Sequence, residues 1–353
     1  MGEAVRRRID ALLDAAERGE SSLVPPGEKD RKALLRRGLE LTQPLSGQFV
    51  RRGTWRRLNP AERSLWLMRG LAARHPDWRF CEASAAVAYG LPVTWGLLTH
   101  VWVTAGRGSH DKSVPGVIRR CVSDPEGPAL AQGLPVTSFW RTVFDCLVAF
   151  PPPDALAVVD RALRLSQASA HQAVDYLRSA HRGRRGVRGA MRVAALADAR
   201  AESGGGESIA RWTMLEAGFE PPELQVWIED PVEPGTWFRV DFLWLLPDGS
   251  VIIGEMDGRQ KTERPELMGG RSAVRVLQDE RLRESHLSAL RPAVVRFGYD
   301  VARDPVLLGS LLDSFGVPRR SGDPTDPPPF TTRRAELMQL GGWRVLVTEL
   351  VAA

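Results

Sequence analysis

The stretch from Phe238 to Lys261, FRVDFLWLLPDGSVIIGEMDGRQK, leaves this chain few folds to choose from. Two apolar runs flank Pro247-Asp248-Gly249, which marks a β-hairpin with a three-residue loop. Counting outward from Asp248, such a loop sets Asp241 opposite Glu255, with Cα atoms about 5 Å apart. Asp257 follows two residues later and shares their face. The same face carries Leu243, Leu245, Val251 and Ile253, while Val240, Phe242, Trp244, Leu246, Ile252 and Met256 take the other. A hairpin apolar on both faces is expected to be covered on both. Three carboxylates at one end of a covered sheet repel one another, and burial raises that cost. Two arrangements relieve it. A divalent cation takes the carboxylate oxygens, or the sheet end is simply polar, with the acids splayed into water or paired with Arg239 and Arg259.

This succession of Asp, hairpin and Glu-x-Asp-Gly resembles the core of PD-(D/E)XK nucleases, in the version found in very-short-patch-repair-type endonuclease domains. The likeness runs from about Glu202 to Val317. It is carried by Glu207 at a helix start, Val240-Asp241-Phe242, Gly254-Glu255-Met256-Asp257-Gly258, Lys261, the helix from Gln278 onward and the strand Val294–Phe297. The resemblance implies a restriction-endonuclease-like α/β domain at 201–318 that hydrolyses DNA phosphodiesters. It implies Asp241 and Glu255 as ligands of Mg2+ (or Mn2+), with Asp257, Lys261 and Glu207 completing the catalytic set. The family's lysine normally stands two residues after the Glu. Here that place is Asp257, and Lys261 at the strand end is the substitute. Glu207 has two readings: an acid favoured by the helix dipole, or one reaching towards Asp241 to position metal or water.

With 353 residues and 43% apolar content, the chain can fill about two or three domains with real cores. Its net charge is +5, and the basic residues are nearly all arginine, whose planar fork suits phosphate. A GC-rich genome also yields arginine. Cys81, Cys121 and Cys146 stand singly, with neither metal spacing nor a disulfide framework, so a reducing cytoplasm is the expected setting. No run of about 18 apolar residues predicts a membrane span. The N-terminus lacks an apolar signal core, and Arg6 stands where a myristoylation motif needs Ser or Thr.

Along the chain, residues 1–78 read as a helical, winged-helix-like module. Helices are predicted over 4–17 and over Lys29–Leu41, with a small strand or wing over Gln48–Gly53. Asn59 and Pro60 open a further helix. Arg51 and Arg52 of the wing either meet DNA phosphates or are simply solvated. Residues 79–200 read as a small α+β region with a basic helical arm. Ser84-Ala85-Ala86 through Gly90-Leu91-Pro92, two strands near 100–104 and 116–122, and Leu134–Ser138 leading to Arg141-Thr142 and Asp145 resemble AbiEi-type antitoxins. Those are the DNA-binding, self-repressing halves of type IV toxin–antitoxin pairs, and they begin with a winged helix. Arg141 and Asp145, four apart, are expected to pair on a helix surface. Arg182, Arg184, Arg185 and Arg188 belong to a run without acids, either a solvated arm or a track for a phosphate backbone. Residues 319–353 read as a Pro- and Asp-rich linker followed by a helix-then-strand tail that can dock on the sheet edge or on a partner.

The expectation is therefore an α/β multidomain, DNA-binding protein with a Mg-dependent endonuclease domain. The alternative is a non-catalytic, antitoxin-like transcriptional regulator with a degenerate nuclease fold, binding DNA and a cognate toxin.

Overall fold

The computed structural model describes residues 2–106, 114–124, 126–257, 273–320, 337–340 and 343–346, without the side chains of 203, 273–280 and 337–346. The chain divides into two units, Met1–Phe150 and Pro151–Ala353. The architecture is mixed α/β, and among the described residues no helix is long and apolar enough to cross a membrane.

In the first unit α1 (Glu3–Arg18) buries Ile9 and Leu13 against Leu34, Leu41 and Phe49. Helix α2 (Glu28–Leu35) ends well short of Leu41. The chain turns at Gly38, whose φ of +44° breaks the helix, and enters β1 (Leu41–Thr42). The expected wing reduces to β2 (Val50–Arg51), antiparallel to β1, because Arg52 already starts α3 (Arg52–Arg57). Helix α4 (Pro60–Arg74) opens with a capping box between Asn59 and Glu62. After α5 (Glu82–Ala88) come β3 (Val101–Ala105) parallel to β4 (Val117–Cys121), and β5 (Pro128–Ala131) antiparallel to β6 (Leu134–Thr137). Phe80 bridges Val103 and Val136 and so joins these two ladders. In α6 (Phe139–Ala149) Arg141 and Asp145 do pair, but inside the unit. Helix α6 packs on α5, which covers the face the spacing had assigned to solvent.

The second unit begins with α7 (Pro152–Ser166), α8 (Ala170–Ala180) and α9 (Val187–Ala195). The sequence reading grouped these residues with the middle region up to 200. Instead α7 lies against α10 (Gly206–Glu216), where Arg211 Nη2 donates to both Asp160 carboxylate oxygens at 2.9 and 2.8 Å. The central sheet runs β10-β9-β8-β7-β12-β11. Its strands are β7 (Glu223–Glu229), β8 (Trp237–Leu245), β9 (Val251–Asp257), β10 (Ala293–Gly298), β11 (Leu337–Leu340) and β12 (Trp343–Leu346). Within this sheet, among the described residues, only β9 and β10 pair in parallel. The described part of the tail docks on the sheet edge, one of its two expected places, through β12 on β7, and its first described element is a strand.

Both faces of the hairpin are covered. Phe242, Trp244 and Ile252 pack with Met214 of α10 and with Leu308 and Leu312 of α13 (Pro305–Ser314), which follows the short α12 (Tyr299–Ala302). Leu243, Val251 and Ile253 pack with Leu287 of α11 (Ala273–Ser288). Val240 departs from the alternation and joins the Leu243 side. The reason lies in β7: Gln225 has φ +53°, and the β7–β8 ladder has no Gln225–Asp241 pair. The strands change face there, at the position of Asp241. Gly254 is needed opposite Phe242, since a Cβ on it would meet the Phe242 Cβ at 3.0 Å.

Candidate functional site

The hairpin register is the one counted from its loop: Phe242 faces Gly254, Leu243 faces Ile253 and Trp244 faces Ile252. One step beyond the last ladder pair stand Asp241 and Glu255. There the backbone N–H of Met256 donates to Asp241 Oδ2 at 2.9 Å, so a carboxylate takes a bond near the place where the backbone ladder stops.

Glu207 comes to the same place from the first turn of α10, fully buried. Gln225 joins it to Asp241. Its Nε2 donates to Glu207 Oε2 at 2.8 Å and to Asp241 Oδ1 at 3.2 Å. The left-handed backbone of Gln225 sets this side chain between the two acids. Glu207 Oε2 also accepts the N–H of Glu202 at 3.0 Å. Glu202 in turn takes Arg239 Nη2 at 2.7 Å and Arg164 Nη2 at 2.5 Å.

Glu255 has a different neighbour. Arg283 Nη2 donates to its Oε1 at 2.5 Å and to the carbonyl of Arg239 at 2.7 Å. Burial pushes the Glu255 carboxyl up to about 7; the Arg283 charge opposes this, and the charge of Asp241 adds to it. A carboxyl at that value changes charge near neutrality, which marks candidate functional groups.

Asp241 and Glu255 are therefore half-buried and bonded rather than splayed into water at the sheet end. Arg239 serves Glu202, and Glu255 has Arg283. Asp257, counted onto the same face, closes β9 and is exposed. Lys261 and Arg259 lie outside the described residues.

Two members of the site have no counterpart in the sequence reading. Gln225 sits in an apolar strand, and only its flanking order, Leu-Gln-Val, hints at a polar interruption. Arg283 lies on the helix expected from Gln278 onward, where the sequence reading singles out no side chain. Its spacing three before His286 and four before Leu287, both turned inward, is the signal that could have found it.

Of the predicted nucleic-acid contacts, Arg51 is committed inside its own unit, to Asp14 at 2.7 Å and Glu17 at 2.6 Å. Arg52 is half-buried beside the carbonyl of Leu41. Arg182, Arg185 and Arg188 are exposed and Arg184 half-buried, on the turn and first residues of α9.

No protein-family model matches the chain. It is similar to two proteins of Mycobacterium tuberculosis, "Uncharacterized protein MT2308" of strain CDC 1551 / Oshkosh and "Uncharacterized protein Rv2248" of strain ATCC 25618 / H37Rv. Each is 42% identical over 92 residues, a stretch that makes up 26% of this chain. The match spans 32% of either relative, so the chain covers about a third of the curated relatives' length.

Proposed function

We propose that the second unit is a restriction-endonuclease-like domain that hydrolyses DNA phosphodiesters with Mg2+ or Mn2+. The observation that carries this is the meeting of Asp241, Glu255 and Glu207 at one interrupted point of the sheet, two of them tied by Gln225. The donors are all oxygens, which suits a hard cation. The Gln225 Oε1 is buried and accepts no hydrogen bond among the described residues, so the cluster holds a further unsatisfied oxygen. Among the described residues no three such side chains are gathered closely enough for an all-protein cage. Mg2+ sites commonly use one or two carboxylates completed by water and substrate phosphate, and Asp241 with Glu255 fits that pattern.

Asp241 and Glu255 hold the cation, and Glu207 orients Asp241 through Gln225. A bound divalent ion supplies Lewis-acid stabilisation of the phosphate and a lowered pKa for its water. The exposed Arg182, Arg185 and Arg188, with Arg184, grip the backbone without reading sequence. In the same proposal the first unit is a winged-helix-like DNA-binding module, without Arg51 as a contact.

A second reading draws on a specific observation: Glu255 is already engaged by Arg283, and Asp257 stands where a lysine is usual. On that reading the domain binds DNA without cutting it, as part of an antitoxin-like regulator with a toxin partner. Plasmid DNA incubated with the protein and Mg2+ or Mn2+, beside Asp241→Ala, separates the two. Nicking or linearisation lost in Asp241→Ala supports the nuclease. Salt-sensitive binding without cleavage, unchanged in Asp241→Ala, supports the regulator.

A further inference from the structure

We propose that Arg283 is the phosphate-contacting cation of this site, delivered from α11 to the side of Glu255. The proposal rests on the nuclease reading for the location of the phosphate, and on its own geometry for the contact.

A phosphodiester approaching Asp241, Glu255 and Glu207 brings further negative charge to an acidic cluster, and a fixed positive charge is needed beside them. Arg283 stands there, with its Nη2 on Glu255 Oε1 at 2.5 Å. The contact is through one nitrogen only. A guanidinium placed simply to neutralise a carboxylate commonly meets it with two parallel bonds. Here Nε is buried and takes no acceptor among the described residues, so the pairing with Glu255 leaves part of the fork unused. Arginine presents its donors in the planar spacing that phosphate oxygens accept.

The side chain is also held in advance. Nη2 keeps a second bond, to the carbonyl of Arg239 at 2.7 Å, which does not depend on Glu255. One turn on, His286 Nδ1 lies 2.7 Å from Asp230 Oδ2, and Leu287 is buried against the hairpin. Helix α11 is thus fixed to the sheet by polar and apolar contacts next to Arg283. Glu255 can turn towards a cation while the guanidinium stays. Its side chain is 24% exposed, so it is within reach of a ligand.

The test is the salt dependence of duplex DNA binding, by fluorescence anisotropy in EDTA. The proteins compared are wild type, Arg283→Gln, Arg283→Lys, Glu255→Gln and the double variant Arg283→Gln/Glu255→Gln. A direct phosphate contact predicts that Arg283→Gln lowers the slope of log K against log salt by about one. Arg283→Lys keeps the charge and should stay near the wild-type slope, even if Arg283→Gln folds poorly. The double variant should remain about one unit low, because removing Glu255 does not restore a phosphate contact. A double variant that regains the wild-type slope makes Arg283 only a counter-ion for Glu255 and overturns the proposal. An unchanged slope in Arg283→Gln overturns it too. Cleavage assayed in parallel with Mn2+ keeps the two ideas apart. A wild type that never cuts, with the Arg283 slope effect intact, removes the nuclease and leaves the contact. Cutting with no slope effect does the reverse.

Discussion

Glu255 shows how one residue can be placed correctly by counting and still be misjudged in its surroundings. Its position across from Asp241 follows from a loop centred on Asp248 and closed by Gly249, whose φ of +84° only glycine adopts freely. The neighbours that define its chemistry were not legible. Gln225 acts through a left-handed backbone inside a strand, and no sequence pattern announces that for a non-glycine residue. Arg283 arrives from a helix whose docking depends on long-range contacts. The environment carries a pH consequence. Burial lifts Glu255 from its ordinary 4.5 to about 7. The folded protein then keeps a proton that the unfolded chain releases. The stability from this group is full below about pH 4.5 and is lost as pH rises to about 7. Glu255→Gln carries no such loss. Its thermal stability relative to wild type should therefore improve between pH 5 and pH 8, by about 3 kcal/mol at most. A difference that is flat across this range, measured by thermal melts at constant ionic strength, would show that burial does not govern this carboxyl.

Among the elements, the seam between α7 and α10 departs furthest from what its sequence suggested. Asp160 is fully buried on α7, accepting from Arg211 of α10 and from the backbone N–H of Asp198 at 2.7 Å. Burial pushes Asp160 up to about 6 against the pull of Arg211. Periodicity gives each helix its apolar stripe, but it does not say that a charged pair closes the gap between two of them. Arg141 and Asp145 repeat the lesson. The i, i+4 spacing gave the partner, while the packing of α6 on α5 decided the burial. Removing one partner of a buried pair leaves the other charge uncompensated. Arg211→Met should destabilise the second unit by about 3–5 kcal/mol in urea denaturation at pH 8. The loss should be smaller at pH 5, where Asp160 can take a proton. The double variant Arg211→Met/Asp160→Leu should recover much of it. Equal losses at both pH values would mean that the cost lies in packing and not in charge.

At the scale of the molecule, the hairpin, the covered sheet and the following helix and strand were readable, because each carries its own periodicity and turn chemistry. Boundaries at 78, 200 and 318 were drawn from the sequence; the contacts group the chain into Met1–Phe150 and Pro151–Ala353. Helix α7 is tied to the rest of the second unit through Asp160–Arg211, Asp154–Arg303 and Arg164–Glu202, pairs far apart in sequence. A fragment of residues 151–353 should accordingly unfold in one cooperative transition, while 201–353 should not, since it lacks α7 and leaves Arg211 unpaired. Equal cooperativity of the two fragments in a denaturant titration would show that α7 is dispensable to this unit. The proposed chemistry requires Asp241 and Glu255 to act together on a cation. Isothermal titration of the full chain with Mn2+ at pH 8 tests this most directly. A saturable site in the wild type that is abolished by Asp241→Ala and equally by Glu255→Ala is the predicted result. No site in the wild type, or one that survives either substitution, would contradict it.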